Sequence, residues 1–267
     1  MSDYEKLKGE WEEKYGGNLD YLTQGCIVIG NAPSVLLNKW GPIIDKFRTV
    51  VRLNSYKIEG YEEFVGTKTD IWARAKNYEI AFRDGTQFRE VWIKQKWDRT
   101  RRDGPVYKTI GPPILNMKDS LVHVLNERQF KRESDGRLCN WTTGYLAVIT
   151  AMEGHRAAGL PTTTYGFTFF GGDDSKPCHR PHYYREEPPS LFEGFSHDAS
   201  INTWMHHAIV EERADAINRA KTGQIHLLFP EEVYETSTLD FSHLEPIIRV
   251  TPEHLVNLPA HLKAKYV

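Results

Sequence analysis

Two sets of residues have types and spacing suited to acid–base or ligand chemistry. In the second half lie His179, His182-Tyr183-Tyr184 and His197-Asp198. Histidine is the side chain most easily used as a proton acceptor near neutral pH. Spaced histidines in a stretch without periodicity are poor candidates for core packing. His179, His182, His197 and Asp198 also have metal-ligand chemistry, although their spacing fits no standard motif. A second set is polar but not titratable. It comprises Gly30-Asn31-Ala32-Pro33-Ser34, Arg52-Leu53-Asn54 and Trp141-Thr142-Thr143-Gly144. Asn31 and Asn54 carry amides able to donate and accept, and Gly30 allows close backbone approach. Thr142 or Thr143 is a natural helix N-cap beside N–H groups that suit an anion. Taken singly, these three segments read as an Asn–Pro turn, an Asx turn and a cap.

The elements that must position them follow from hydrophobic periodicity. A charged helix over residues 4–16 ends at Gly16-Gly17. A continuous apolar run over 25–31 reads as a buried parallel strand. A helix is expected over 35–46 and a strand over 49–54, together the size of a βαβ unit. Further strands are expected at 70–73 and 90–93, then a basic loop over 94–113 and an amphipathic helix over 118–132. A helix over 143–159 with Gly159 at its C-terminus precedes a strand over 162–170. Residues 171–202 form a long aperiodic stretch, the kind built around a site. A helix over 201–222 and a strand over 224–229 complete the pattern. The class is α/β, a Rossmann-like, mainly parallel sheet flanked by helices, in a single domain spanning 1–267 with its core at about 25–230. Ligands in such folds sit beyond the carboxyl ends of the strands, which is where Asn31 and Asn54 fall.

Composition narrows the classes. The 267 residues are 40% hydrophobic and 26% charged, a globular balance. Lys and Arg number 34 against 36 Asp and Glu, a net of −2 that disfavours a nucleic-acid binder. Cys26, Cys139 and Cys178 show no C-x-x-C spacing, so neither a disulfide scaffold nor a four-cysteine zinc site organises the chain. The polar N-terminus has no apolar signal-peptide core, and no stretch has the length of a membrane span. A cytoplasmic location is expected, with peripheral membrane contact through the basic run 94–102 as a minor reading.

Taken together, the polar segments form an ordered set. Residues 26–31, 41–45, 51–54 and 60–69 closely resemble the large sialyl motif of the eukaryotic-type sialyltransferases, glycosyltransferase family 29. Residues 141–167 resemble the small sialyl motif, His182-Tyr183-Tyr184 resembles motif III, and His197 resembles the histidine of the very small motif. The resemblance spans about 25–204. It implies a GT-A-like variant of the Rossmann fold and a metal-independent, inverting transferase. Its donor would be a CMP-sugar carrying sialic acid or the related 2-keto sugar acid Kdo, and its acceptor a glycan hydroxyl. By motif match, Asn31 and Asn54 hold the cytidine nucleotide, and Thr142, Thr143 and Gly144 also contact CMP. His182 meets the leaving phosphate and His197 is the base. No cofactor is implied.

The match has departures. The small-motif stretch 151–155 lacks the cysteine that pairs with the large-motif one in the family, leaving Cys26 without that partner, which fits a reducing compartment. Asn202 stands where the very small motif has Glu, and Arg185 precedes Glu186 where motif III has its acid. Two alternatives stay open: a non-catalytic CMP- or glycan-binding relative, and a metal-dependent hydrolase using the 178–198 histidine cluster.

Overall fold

The computed structural model describes residues 2–75, 83–84, 87–94, 121–125, 129–131, 138–167 and 209–228. Helix α1 (Asp3–Tyr15) starts on the Ser2 hydroxyl, which accepts from the Glu5 N–H, and stops at Gly16, where φ is 71°. Its polar composition conceals one anchor: Trp11 is fully buried, edge-on to Trp40. A short helix α2 (Leu19–Leu22) leads into strand β1 (Cys26–Ile29). Strands β2 (Thr49–Leu53), β3 (Ile71–Ala75), β4 (Glu90–Lys94), β5 (Leu121–Leu125), β8 (Thr162–Tyr165) and β9 (His226–Leu227) join β1 in one seven-stranded sheet. Its order is β5-β4-β3-β2-β1-β8-β9, and every pairing is parallel. β6 (Gln129–Lys131) and β7 (Leu138–Asn140) form a separate antiparallel pair.

The continuous apolar runs arise because both sheet faces are covered. Successive side chains alternate faces. Cys26 and Val28 of β1, Val51 and Leu53 of β2, and Ile71 and Ala73 of β3 share one core with helices α5 (Thr143–Ala157) and α6 (Ile209–Lys221). Ile27, Ile29 and Val50 face the other way, onto Trp11, α2, α3 (Gly41–Ile44) and Val65 of α4 (Glu62–Val65). The chain runs outward from β1 to β5, then returns to place β8 and β9 on the other side of β1. The β1–β8 boundary is therefore the topological switch point, and the crevice beyond the carboxyl ends of these strands is the expected ligand position.

The structure corrects two sequence expectations. The helix expected over 35–46 is a 3₁₀ turn, Pro33–Leu37, followed by the one-turn α3. The extended Asn38 divides them, and Pro42 in the first turn of α3 has no N–H with which to continue a helix from Asn38. The helix expected over 118–132 contains strands β5 and β6 instead. Alternating Leu and β-branched Val in Leu121-Val122-His123-Val124-Leu125 suits a strand, and this segment pairs residue for residue with β4. Helices α2 and α4 and the β6–β7 pair were not foreshadowed by any periodicity.

Much of the large-motif resemblance falls on ties at the sheet's amino end. Asp45 accepts from the N–H groups of Thr67 and Lys68, both at 2.8 Å. The buried Arg52 donates from Nη2 to Val65 O (2.6 Å) and Gly66 O (3.1 Å), and from Nε to Lys68 O and Thr69 Oγ1 (both 3.0 Å). Asp70 accepts the Val50 N–H at 2.8 Å. These polar groups fix the 65–70 connection that delivers β3 beside β2.

Candidate functional site at the carboxyl ends of the strands

At the end of β1 the chain continues to pair for one more step. The Gly30 N–H donates to Tyr165 O (2.7 Å) and the Ala32 N–H to Gly166 O (3.1 Å). A Cβ on Gly30 would stand 2.1 Å from Gly166 O, so only glycine permits this approach. Asn31 follows at once, half-buried, and donates from Nδ2 to Leu53 O at 3.1 Å. The first candidate amide thus reaches across to the end of β2, beside the second.

Asn54 has φ of 49°, the left-handed conformation that Asn tolerates better than most residues. Its N–H donates to Ala73 O (2.8 Å), its Oδ1 accepts the Ala75 N–H (2.9 Å), and its O accepts Trp72 Nε1 (2.8 Å). The residue therefore turns the chain off β2 and holds the carboxyl end of β3.

The N-terminus of α5 abuts the same edge. A Cβ on Gly144 would lie 3.0 Å from Phe167 Cε1 and 3.1 Å from Leu53 Cδ1. Leu53 thereby links the groups, since its carbonyl holds Asn31 and its side chain meets Gly144. Thr142 is the N-cap: its Oγ1 accepts the Tyr145 N–H at 3.1 Å. Thr143 is buried at the first helical position. The structure thus brings Asn31, Asn54, Thr142, Thr143 and Gly144 to one end of the sheet. His182, His197 and Asn202, with the rest of the 178–198 cluster, lie outside the described residues.

One carboxylate at this site escaped the sequence reading. Glu212 of α6 is 2% exposed, and it accepts the Thr142 N–H on Oε1 and the Thr142 hydroxyl on Oε2, the latter at 3.0 Å. Burial pushes its carboxyl up to about 8, while the two Thr142 bonds and the charge of Lys94 pull the other way. Lys94, buried at the carboxyl end of β4, donates to Trp141 O. Beside it Tyr145 stacks on Trp141 at 4.4 Å and donates to Asp215. Burial is also the main cause of the raised Tyr145 hydroxyl pKa. A signal for Glu212 existed. It lies four residues before the buried Ala216, on the face of its helix that packs into the core, where an unpaired charge is costly.

The thiol of Cys26 is free and wholly buried, and burial raises it well above the usual thiol range, the opposite of an activated nucleophile. Among the described residues there is no cluster of three or more His, Cys, Asp or Glu able to hold a metal. Among them, too, no helix is long and apolar enough to cross a membrane. A cavity of about 430 Å³ lies elsewhere, lined by Tyr56, Lys57, Thr67, Thr69, Arg83 and Phe88 among others. None of the candidate site residues lines it.

Residues 13–81 match the profile of glycosyltransferase family 29 (sialyltransferase). The match covers 69 of the 267 residues. The matched segment includes both Asn31 and Asn54, with the Asp45, Arg52 and Asp70 ties. Over 46 residues the chain is 46% identical to the β-1,6-galactosyltransferase GALT29A of Arabidopsis thaliana, which is 17% of this chain and 12% of that protein. Over 46 residues it is 48% identical to the lactosylceramide α-2,3-sialyltransferase of Rattus norvegicus, again 17% of this chain and 12% of the relative. The alignments thus span about an eighth of the length of these relatives. A crystal structure of a mammalian sialyltransferase in complex with Gal-β-1-3GalNAc-ortho-nitrophenol superposes with a TM-score of 0.46 at 19% identity, covering 85% of this chain and 79% of that one.

Proposed function

We propose that the chain is a CMP-sugar-dependent, inverting glycosyltransferase that moves sialic acid or a related 2-keto sugar acid such as Kdo onto a glycan hydroxyl. The observation that carries this reading is the family 29 signature on residues 13–81, whose two asparagines stand side by side at the strand ends against the α5 N-terminus. Asn31 and Asn54 hold the cytidine nucleotide. Thr143 and Gly144 offer the phosphate the N–H groups that lie between two already used: Thr142 N–H is taken by Glu212 and Tyr145 N–H by the Thr142 hydroxyl.

In the reaction, His197 removes the acceptor hydroxyl proton as its oxygen attacks the anomeric carbon. The bond from that carbon to the CMP phosphate breaks on the opposite face, and its electron pair leaves with CMP. His182 meets the phosphate charge as it develops. CMP is a good leaving group, so positioning and charge neutralisation supply most of the acceleration, and no metal is required.

The galactosyltransferase relative favours a second reading in which the transferred sugar is galactose. One screen separates the two. The protein is incubated with CMP-sialic acid, CMP-Kdo or nucleotide-activated galactose over a panel of glycans, with and without chelator, and nucleotide release is followed. CMP release that requires acceptor and survives chelator supports the first reading. Turnover with the galactose donor alone selects the second. CMP binding without turnover on any donor marks a non-catalytic relative, and loss of all activity with chelator favours the metal-dependent alternative.

A further inference from the structure

We infer that Glu212 is a positioning residue of the donor site, holding Thr142 and, through it, the first N–H groups of α5 in place for the donor phosphate. This inference rests on the nucleotide site proposed above. Its basis is geometric. Glu212 belongs to α6, a different element from the one it caps, and engages Thr142 twice, at the N–H and at the hydroxyl. The Thr142 hydroxyl in turn accepts the Tyr145 N–H. Thr143 and Gly144 lie between these fixed points, so Glu212 sets where their N–H groups sit.

The same geometry makes nucleotide binding proton-linked. An ionised Glu212 places negative charge within hydrogen-bond reach of the helix end that the phosphate approaches. The charged groups that act on it are Lys94 from β4 and Glu211 on its own helix. Tyr145 of α5, with Asp215 and Arg219 of α6, forms the adjoining cluster. Burial already favours the protonated carboxyl. A bound dianionic phosphate favours it further, so CMP takes up a proton as it binds on the alkaline side of neutrality. A tenfold coupling corresponds to about one pK unit, or roughly half a proton per CMP when the pH lies midway between the free and bound values. CMP itself does not titrate there, because its phosphate is doubly ionised above about pH 7.

The test is calorimetry of CMP binding near pH 8.5, in buffers of differing ionisation enthalpy, to wild type, Glu212→Gln and Glu212→Ala. Wild type is expected to take up protons. The Gln variant keeps an acceptor and a donor for Thr142, so it binds without uptake at pH 8.5 and with affinity flat from about pH 7.5 to 9, where the CMP phosphate is already doubly ionised. The Ala variant, which releases Thr142, is expected to bind about tenfold more weakly at pH 6 than the Gln variant. If Glu212→Ala fails to fold, proton uptake in wild type against Glu212→Gln decides alone. Wild-type binding without uptake, or equal uptake in Glu212→Gln, overturns the inference while leaving the donor site standing. No CMP binding by folded wild type overturns the donor-site reading and this inference with it.

Discussion

Replacing Glu212 by Gln changes how stability depends on pH, by an amount the structure sets. The side chain is 2% exposed and burial raises its carboxyl from 4.5 to about 8. The folded state therefore binds more protons than the unfolded chain between these two values. Stability falls as pH rises through that window, because unfolding frees the carboxyl to ionise in water. One pK unit is about 1.4 kcal/mol, so the group removes roughly 3–4 kcal/mol of stability between pH 5 and pH 8. Gln does not titrate and preserves the partners of Thr142. Urea unfolding at pH 5, 6, 7 and 8 is the assay, with the wild-type free energy subtracted from that of the variant at each pH. That difference isolates Glu212 from every other titrating group. It is expected to rise with pH by about 3–4 kcal/mol in favour of Gln, within a broad range set by relaxation around the site. A difference constant with pH, or one that moves in favour of wild type as pH rises, would refute the burial argument.

Two further substitutions test the scaffold. Gly30→Ala places a methyl group 2.1 Å from the Gly166 carbonyl oxygen, and the backbone there cannot give way cheaply. About 3 kcal/mol or more of destabilisation is expected in denaturant titration, together with weaker CMP binding, since Asn31 moves with the strand end. Arg52→Met strips four acceptors in the 65–69 connection of their donor. It should lower stability by about 2–4 kcal/mol and speed amide exchange in β3, while an unchanged unfolding midpoint would show that the guanidinium ties nothing.

Residues 26–29 and 49–53 were legible because a sheet covered on both faces requires unbroken apolar runs, a pattern visible without any partner strand. The helix Thr143–Ala157 was legible for a related reason: Thr142 caps it and Gly159 ends it, with φ of 68°. The stretch 118–132 was misread because a short apolar run has no period long enough to separate strand from helix, and only pairing with β4 decides it. Residues 35–46 were misread because their apolar side chains line a core from two separate turns, which mimics one helix. Placement of the site at strand ends followed from Asn31 and Asn54 alone. Glu212 was half legible: its place on the apolar face of its helix signalled a buried carboxylate, but its partner Thr142 lies 70 residues away, and only packing brings the two together. Arg52 shows the converse: it stands inside the recognisable motif, one strand position from Leu53 and two from Asn54, yet its Nε and Nη2 groups donate to the 65–69 backbone and the Thr69 hydroxyl.

The central claim is that the end of the sheet carrying Asn31, Asn54 and the α5 N-terminus holds a cytidine nucleotide. A crystal structure of the protein with CMP tests it most directly. Cytidine is expected against Asn31 and Asn54, with the phosphate on the N–H groups of Thr143 and Gly144. CMP seated instead in the cavity lined by Tyr56 and Arg83, or absent from crystals soaked at saturating concentration, would contradict it.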